Sequence, residues 1–223
     1  MRPVRTSSPS SDTDQVLLGT LPPLVRALAA KGTLKRYRAK TTLLEENDQG
    51  DTVFVVISGL LRIYCSDSRG REVTLALYGP GEYVGEMSLD GGPRSASVTT
   101  ETASVCAMVS GQALRRHLAE NPDFALELIR RLIRRARLAT ETARSMALLD
   151  TYGRLTRLFD SLAVTTEGGV RRISQKLTHL DISQRIGCSR ELVSRILKDL
   201  ETGGYIALKE RQYNLLRKFP AKW

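Results

Sequence analysis

Two short stretches carry residues whose types and spacing could do chemistry. In GEYVGEMSLDGGPRSASV, residues 81–98, Gly85 and Glu86 precede a short apolar turn, and Arg94 and Ser95 follow a Gly-Gly loop. Exposed backbone N–H groups, a guanidinium fork and a hydroxyl suit a single phosphate, while the Glu86 carboxylate can accept from a sugar hydroxyl. These are the parts that a cyclic nucleotide needs. Taken singly, Arg94 reads as a solvated surface residue and Glu86 as a turn carboxylate, so the information lies in the ordered set. In GCSRELVSRILK, residues 187–198, Ser189 stands where a helix N-cap belongs. Leu192, Val193, Ile196 and Leu197 would then share an apolar face, leaving Arg190, Glu191, Ser194, Arg195 and Lys198 outward. Residues near the start of such a helix reach base edges in a major groove, where arginine pairs with guanine and glutamate accepts from cytosine N4. A solvated face of mixed charge is the plain alternative. The capped turn and the formal charge of +10 favour DNA.

Ordered sets of this kind need elements to hold them. From Thr33 to Ser110 the chain runs in short β-type segments closed by turn residues: 52–59, 60–65, 72–79 and 103–110. Such spacing predicts a jelly roll or similar barrel, although an unspecialised β-sandwich would explain the strands alone. Residues 122–149 contain no glycine or internal proline, and Ile129, Ile133, Ala136, Thr140, Ala143 and Ala147 recur at steps of four and three. That period predicts one helix, roughly 40 Å long, with a seam for a partner; Asn121 is its expected N-cap. Most of its arginine run is expected to be a solvated face supported by Glu127 and Glu141. Asp150 can cap a further helix buried through Leu155, Leu158, Phe159 and Leu162. Thr178 with Asp181 predicts a capping box, Gly187 and Cys188 a turn, and Ser189 the helix that follows. Residues 205–208 and 213–216 complete a hairpin with a charged tip, beside which a DNA backbone could lie.

Composition narrows the classes. A chain of 223 residues with 41% hydrophobic residues suits two domains, whereas 1–15 is rich in Ser, Pro and Asp and reads as a disordered leader. No signal-peptide core or membrane-length apolar run occurs, so a cytoplasmic protein is expected. Cys65, Cys106 and Cys188 are isolated, and His117 and His179 stand alone in their halves. Free thiols, no metal site and no catalytic triad are therefore expected. A metal-dependent barrel enzyme needs clustered histidine and carboxylate ligands, and 16–116 holds no histidine. An architectural DNA binder acting through charge alone is the third class.

Beyond these readings, GEMSL followed by PRSA resembles the phosphate-binding cassette of cyclic-nucleotide-binding domains. Residues 20–216 resemble bacterial regulators of the cyclic-AMP receptor protein and fumarate–nitrate regulator family. The resemblance implies an α+β chain: a cyclic-nucleotide-binding jelly roll at 16–121, a dimerisation helix at 122–149 and a winged helix-turn-helix head at 150–223. It implies that Gly85 belongs to the pocket, Glu86 holds the ribose hydroxyl, and Arg94 and Ser95 the cyclic phosphate. Arg135 lies near the ribose, and Thr140 reaches the base from the second subunit. Ala139 replaces a threonine of the family pattern, and the loop from Glu86 to Arg94 is slightly shorter, so cyclic AMP comes first while cyclic GMP, cyclic di-GMP, another ligand or activity without ligand stay open. Arg94 is expected to face the ligand rather than the core, so that its loss would spare the fold. In the head, Arg190, Glu191 and Arg195 would read bases and Thr178, Ser189 and Lys198 would position the DNA backbone. The implied target is a TGTGA-type palindrome in double-stranded DNA, bound by a homodimer without catalytic activity, with RNA polymerase as a further partner that the family allows.

Overall fold

The computed structural model describes residues 12–166 and 169–220, and within them the chain divides into two compact units. One takes the chain through Ser66 together with Thr74–Ile133; the other takes Asp67–Val73 and the chain from Arg134 onward. The division falls inside the long helix rather than at either of its ends.

The first unit opens with α1 (Asp12–Gly19) and α2 (Pro23–Ala29). Eight strands follow: β1 (Thr33–Tyr37), β2 (Thr42–Leu44), β3 (Val53–Ser58), β4 (Leu61–Ser66), β5 (Glu72–Tyr78), β6 (Tyr83–Val84), β7 (Ser97–Thr100) and β8 (Ser104–Val109). Then come α3 (Gly111–Glu120) and the start of α4 (Pro122–Leu148). The strands make two four-stranded sheets, ordered β1-β8-β3-β6 and β2-β7-β4-β5. Interleaving of sequence-distant strands across two sheets is the jelly-roll arrangement. The sequence VFVVIS of β3 shows why it sits at the centre. Val53, Val55 and Ile57 enter the cluster that contains Leu28, Leu114 and Phe124 from the helices, whereas Phe54 and Val56 join Leu61, Val84 and Val98. Successive side chains alternate between faces, so one continuous apolar strand serves two cores. Each such side chain contributes about 1.5–3 kcal/mol on burial.

Three features depart from the expectations. Residues 1–11 of the expected leader lie outside the described residues, but Asp12–Gln15 already belong to α1. Leu17 and Leu18 pack on the first core and draw the preceding turn into a helix. The strand pattern does not anticipate α2 or α3, the latter capped by Ser110 Oγ, which accepts from Ala113 N at 3.2 Å. Asn121, expected to cap α4, turns its amide back instead: Nδ2 donates to His117 O at 2.9 Å and lies 3.1 Å from His117 Nδ1.

The second unit contains the remainder of α4, then α5 (Thr151–Leu162), β9 (Val164–Thr165), β10 (Arg171–Ile173), α6 (His179–Ile186), α7 (Arg190–Thr202), β11 (Ile206–Lys209) and β12 (Gln212–Leu215). Its sheet is ordered β11-β12-β10-β9, adding two short strands to the expected hairpin. Leu155 and Phe159 of α5, Ile182 of α6, Val193 and Leu200 of α7 and Tyr213 of β12 share its core. Asp150 Oδ1 accepts from Gly153 N at 2.7 Å and so starts α5 as expected. Gly187 ends α6 at φ +65°, a left-handed position that suits glycine, and lets α7 depart in a new direction.

Candidate functional site

The segment expected to bind a phosphate begins where β6 ends. Gly85 turns the chain at φ +90° into a 3-10 turn, Glu86–Asp90. A Cβ at Gly85 would lie 2.6 Å from Thr52 O and 2.8 Å from Arg94 Nη1, so glycine is required for space as well as for dihedral angle. Glu86 and Arg94 are both buried, at 4% and 5% exposure. Arg94 Nη1 donates to Gly85 O and to Ser88 Oγ, each at 2.8 Å, and Nη2 donates to Thr52 O at 2.9 Å. The Arg94 backbone is pinned as well: its N–H donates to Asp48 O and its carbonyl accepts from Asn47 N. Burial pulls the Arg94 pKa below the usual arginine value, while Asp51, Glu86 and Asp48 pull it back up. Such a guanidinium remains charged.

Arg94 is therefore a tie between three backbone segments, and the expectation that it faces away from the core is corrected. The cause is local: Ser88 Oγ, itself donating to Gly85 O at 2.9 Å, and Thr52 O present inward acceptors that a long, forked donor reaches together. Three of the five guanidinium N–H groups are used in these bonds, and Nε–H and one Nη2–H are not. Ser95 is exposed beside it, with Oγ 3.3 Å from Met87 Sδ. Ser88 and Thr52 are the residues that the sequence pattern missed. Ser88 lies in the quoted segment, but Thr52 acts through a carbonyl, which has no sequence signature.

Arg135 and Thr140 fall beyond the division within α4, in the second unit. Arg135 is half-buried; Thr140 is exposed, and its hydroxyl donates to Ala136 O at 3.0 Å. A helical threonine commonly holds its hydroxyl in this way. Along the seam Ile129 and Ile133 stand 51% and 47% exposed in the single chain. The arginine run is not uniformly a solvated face. Arg131 Nε donates to Glu127 Oε1 at 2.8 Å, as the spacing of four allows, but Nη1 also donates to Gly81 O at 2.8 Å and lies 3.1 Å from Glu82. Its guanidinium carbon sits 4.9 Å from the Tyr83 ring centre. Arg131 thus fastens the first turns of α4 to the turn before β6.

In the second unit the helix-turn-helix is built by its caps. Thr178 Oγ1 accepts from Asp181 N at 3.1 Å, and Asp181 Oδ2 accepts from Thr178 N at 2.8 Å, completing the capping box. Thr178 Oγ1 also lies 2.6 Å from the same carboxylate and gives it the hydroxyl proton. Ser189 Oγ accepts from Leu192 N at 3.2 Å and keeps its own proton for another acceptor. Arg154, a residue absent from the expectations, donates through Nε to Ile186 O at 2.8 Å and through Nη1 to Leu149 O at 2.8 Å, holding α5 to the end of α6. With Val193, Ile196, Leu197 and Leu200 buried, Arg190, Glu191, Arg195 and Lys198 stand exposed along the other side of α7. The hairpin tip is Glu210–Arg211, both at positive φ, between paired Lys209 and Gln212.

Among the described residues no group of three His, Cys, Asp or Glu side chains could hold a metal ion, and no helix is long and apolar enough to cross a membrane. Cys106 is buried and Cys65 and Cys188 are half-buried, all as free thiols.

Comparison with known proteins bears on both units. Residues 34–121 match the cyclic nucleotide-binding domain, and residues 153–218 match the Crp-like helix-turn-helix domain. A CRP-like cAMP-activated global transcriptional regulator of Mycobacterium tuberculosis is 32% identical over 198 residues, covering 87% of this chain and 88% of that protein. The cAMP-activated global transcriptional regulator CRP of Haemophilus influenzae is 34% identical over 172 residues, covering 75% and 77%. Among solved structures, the c-di-GMP responsive global regulator CLP of Xanthomonas campestris superposes with a TM-score of 0.77 at 25% identity, covering 87% of this chain and 99% of that one.

Proposed function

The chain belongs to the CRP-like family of cyclic-nucleotide-binding transcriptional regulators, and from that premise we propose that it is a cyclic-AMP-responsive homodimer that reads a TGTGA-type palindrome. The observation that carries the ligand half is the pairing of buried Glu86 and buried Arg94 around Gly85, with two guanidinium N–H groups outside the bonds to Gly85, Ser88 and Thr52. Glu86 takes the ribose hydroxyl and Arg94, assisted by Ser95, the cyclic phosphate. Arg135 stands near the ribose, and Thr140 of the partner subunit turns its hydroxyl from its own helix to adenine. Residues 16–121 are then the sensor, 122–149 the shared helix and 150–223 the reading head.

A second copy of the chain covers the α4 seam, because two isoleucines half-exposed one turn apart, followed by small residues, suit close helix approach. Arg190, Glu191 and Arg195 read base edges, and Ser189 and Lys198 meet phosphates. Thr178 acts one step back, by fixing the start of α6, because its hydroxyl proton is already given to Asp181.

A second ligand reading is cyclic di-GMP. Ala139 lacks the hydroxyl that the family pattern places against adenine, and a regulator 25% identical to this chain is described as responsive to that dinucleotide. Calorimetry of the purified protein with cyclic AMP, cyclic GMP and cyclic di-GMP separates these ligands. Fluorescence anisotropy with a TGTGA palindrome, with and without each, tests the DNA half. Tighter cognate binding with cyclic AMP is expected; no specific binding under any of these conditions would falsify the DNA assignment.

A further inference from the structure

One contact on α7 is explained neither by the core nor by the proposed base readers. His179, the first residue of α6, is half-buried, and its Nδ1 lies 2.7 Å from Ser194 Oγ on α7. Ser194 Oγ donates to Arg190 O at 3.0 Å. A hydroxyl has one proton, so that bond makes the imidazole Nδ1–H the donor to Ser194. The chain of bonds runs from Nδ1–H to Oγ–H to the carbonyl, and it fixes the rotamer of Ser194 and the polarity of its hydroxyl. One acceptor position on Oγ remains. Ser194 stands four positions from both Arg190 and Lys198, so all three share one side of the helix. The pair borders a cleft of about 100 Å³ lined also by Lys198, Glu201, Leu208 and Tyr213.

We propose that His179 is a positioning residue that locks Ser194 as an acceptor, so that Ser194 distinguishes amino from keto bases in the major groove. The inference rests on α7 being the recognition helix. On the strand that Ser194 faces, adenine N6 and cytosine N4 can donate to it; guanine O6 and N7 and thymine O4 are acceptors and cannot. Without His179 the hydroxyl turns freely and can donate as well as accept, and the discrimination is lost. A serine at this position is then more than a small neighbour of Arg190: its partner on α6 determines what it can recognise.

The test is selection and affinity measurement on an operator library randomised at each half-site position, with the full chain, both with saturating cyclic AMP and without nucleotide. The wild type is expected to prefer A or C over G or T at one position by about two- to tenfold, the effect of one hydrogen bond. His179→Ala and Ser194→Ala flatten that position alone, and the double variant loses nothing further. His179→Asn, whose amide nitrogen can stand where Nδ1 stood, restores the preference; His179→Gln does not. A preference for G or T, or an unchanged preference in His179→Ala, overturns the inference. So does a loss of affinity spread evenly over all positions, which marks a merely structural contact. A wild type with no preference at any position overturns the reading of α7 itself, and the inference falls with it.

Discussion

The two charged clusters of this chain are built in opposite ways. Around Arg94 the polar groups are buried and bonded to the protein: one guanidinium satisfies Gly85 O, Ser88 Oγ and Thr52 O. Along α7 the charged groups stand exposed on a helix whose stability comes from its other face, where Val193 and Leu200 are fully buried. A small anion must be held in a dry pocket, where charge-assisted bonds are strong and unpaired groups are costly. A duplex has to be approached from solvent and released, so its readers are kept wet until contact. On the proposed reading, the segment around Arg94 joins folding to recognition, and α7 separates them.

The largest test of that contrast is Arg94→Ala. Thr52 O and Ser88 Oγ lose the Arg94 donor in a buried site, while Gly85 O keeps the Ser88 hydroxyl, which costs about 2–4 kcal/mol in unfolding free energy as well as nucleotide binding. Chemical denaturation of the purified protein should show this loss, with Arg94→Lys recovering only part of it because one ammonium cannot reach all three acceptors. Wild-type stability in Arg94→Ala would mean that the bonds to Thr52, Gly85 and Ser88 are incidental.

Gly85→Ala should cost about 2–3 kcal/mol for a different reason. Here the side chain is added, at φ +90° and against Thr52 O and Arg94 Nη1. The expected signature is a shared loss of thermal stability and calorimetric affinity. Affinity lost with an unchanged melting temperature would mean that Gly85 serves the ligand alone.

For the recognition helix the expectation reverses. Arg190→Ala should leave unfolding within about 0.5 kcal/mol of wild type, since the residue is exposed at the start of α7. It should weaken cognate DNA by about 1–3 kcal/mol and leave non-specific affinity nearly unchanged. Denaturation curves beside anisotropy on cognate and scrambled duplexes give both quantities. A comparable loss on both duplexes would move Arg190 from the base readers to the phosphate contacts.

What the sequence made legible follows the same division. Helix starts in the head were readable because capping is local: Asp150 with Gly153, Thr178 with Asp181 and Ser189 with Leu192 each lie three residues apart. The central strand was readable because VFVVI, residues 53–57, is apolar throughout. The role of Arg94 was legible only in part, because its partners include carbonyls 9 and 42 residues away, and a carbonyl belongs to every residue type. Strands of two or three residues such as β6 and β2 are too short to show a period, and they exist because neighbours pair with them. The His179–Ser194 contact spans two helices and became visible only once both were placed.

The smallest effect lies at the hairpin tip, where the head departs from local consistency. Glu210 and Arg211 form a two-residue connection with φ of 52° and 63°, a conformation that favours Asn-Gly and costs other residues about 1 kcal/mol each. The double substitution Glu210→Asn, Arg211→Gly should therefore stabilise the protein by about 1 kcal/mol, read as a rise in the denaturation midpoint. If Arg211 lies beside a phosphate, the same change removes that cation together with the Glu210 carboxylate, leaves the net charge of the tip unchanged, and lowers the salt dependence of DNA binding by about one unit of slope through the lost phosphate contact. More stability with unchanged salt dependence would keep the hairpin in the fold but take its tip off the DNA. A more stable protein that binds DNA less strongly would show a charged pair retained at this turn for recognition against the local backbone preference.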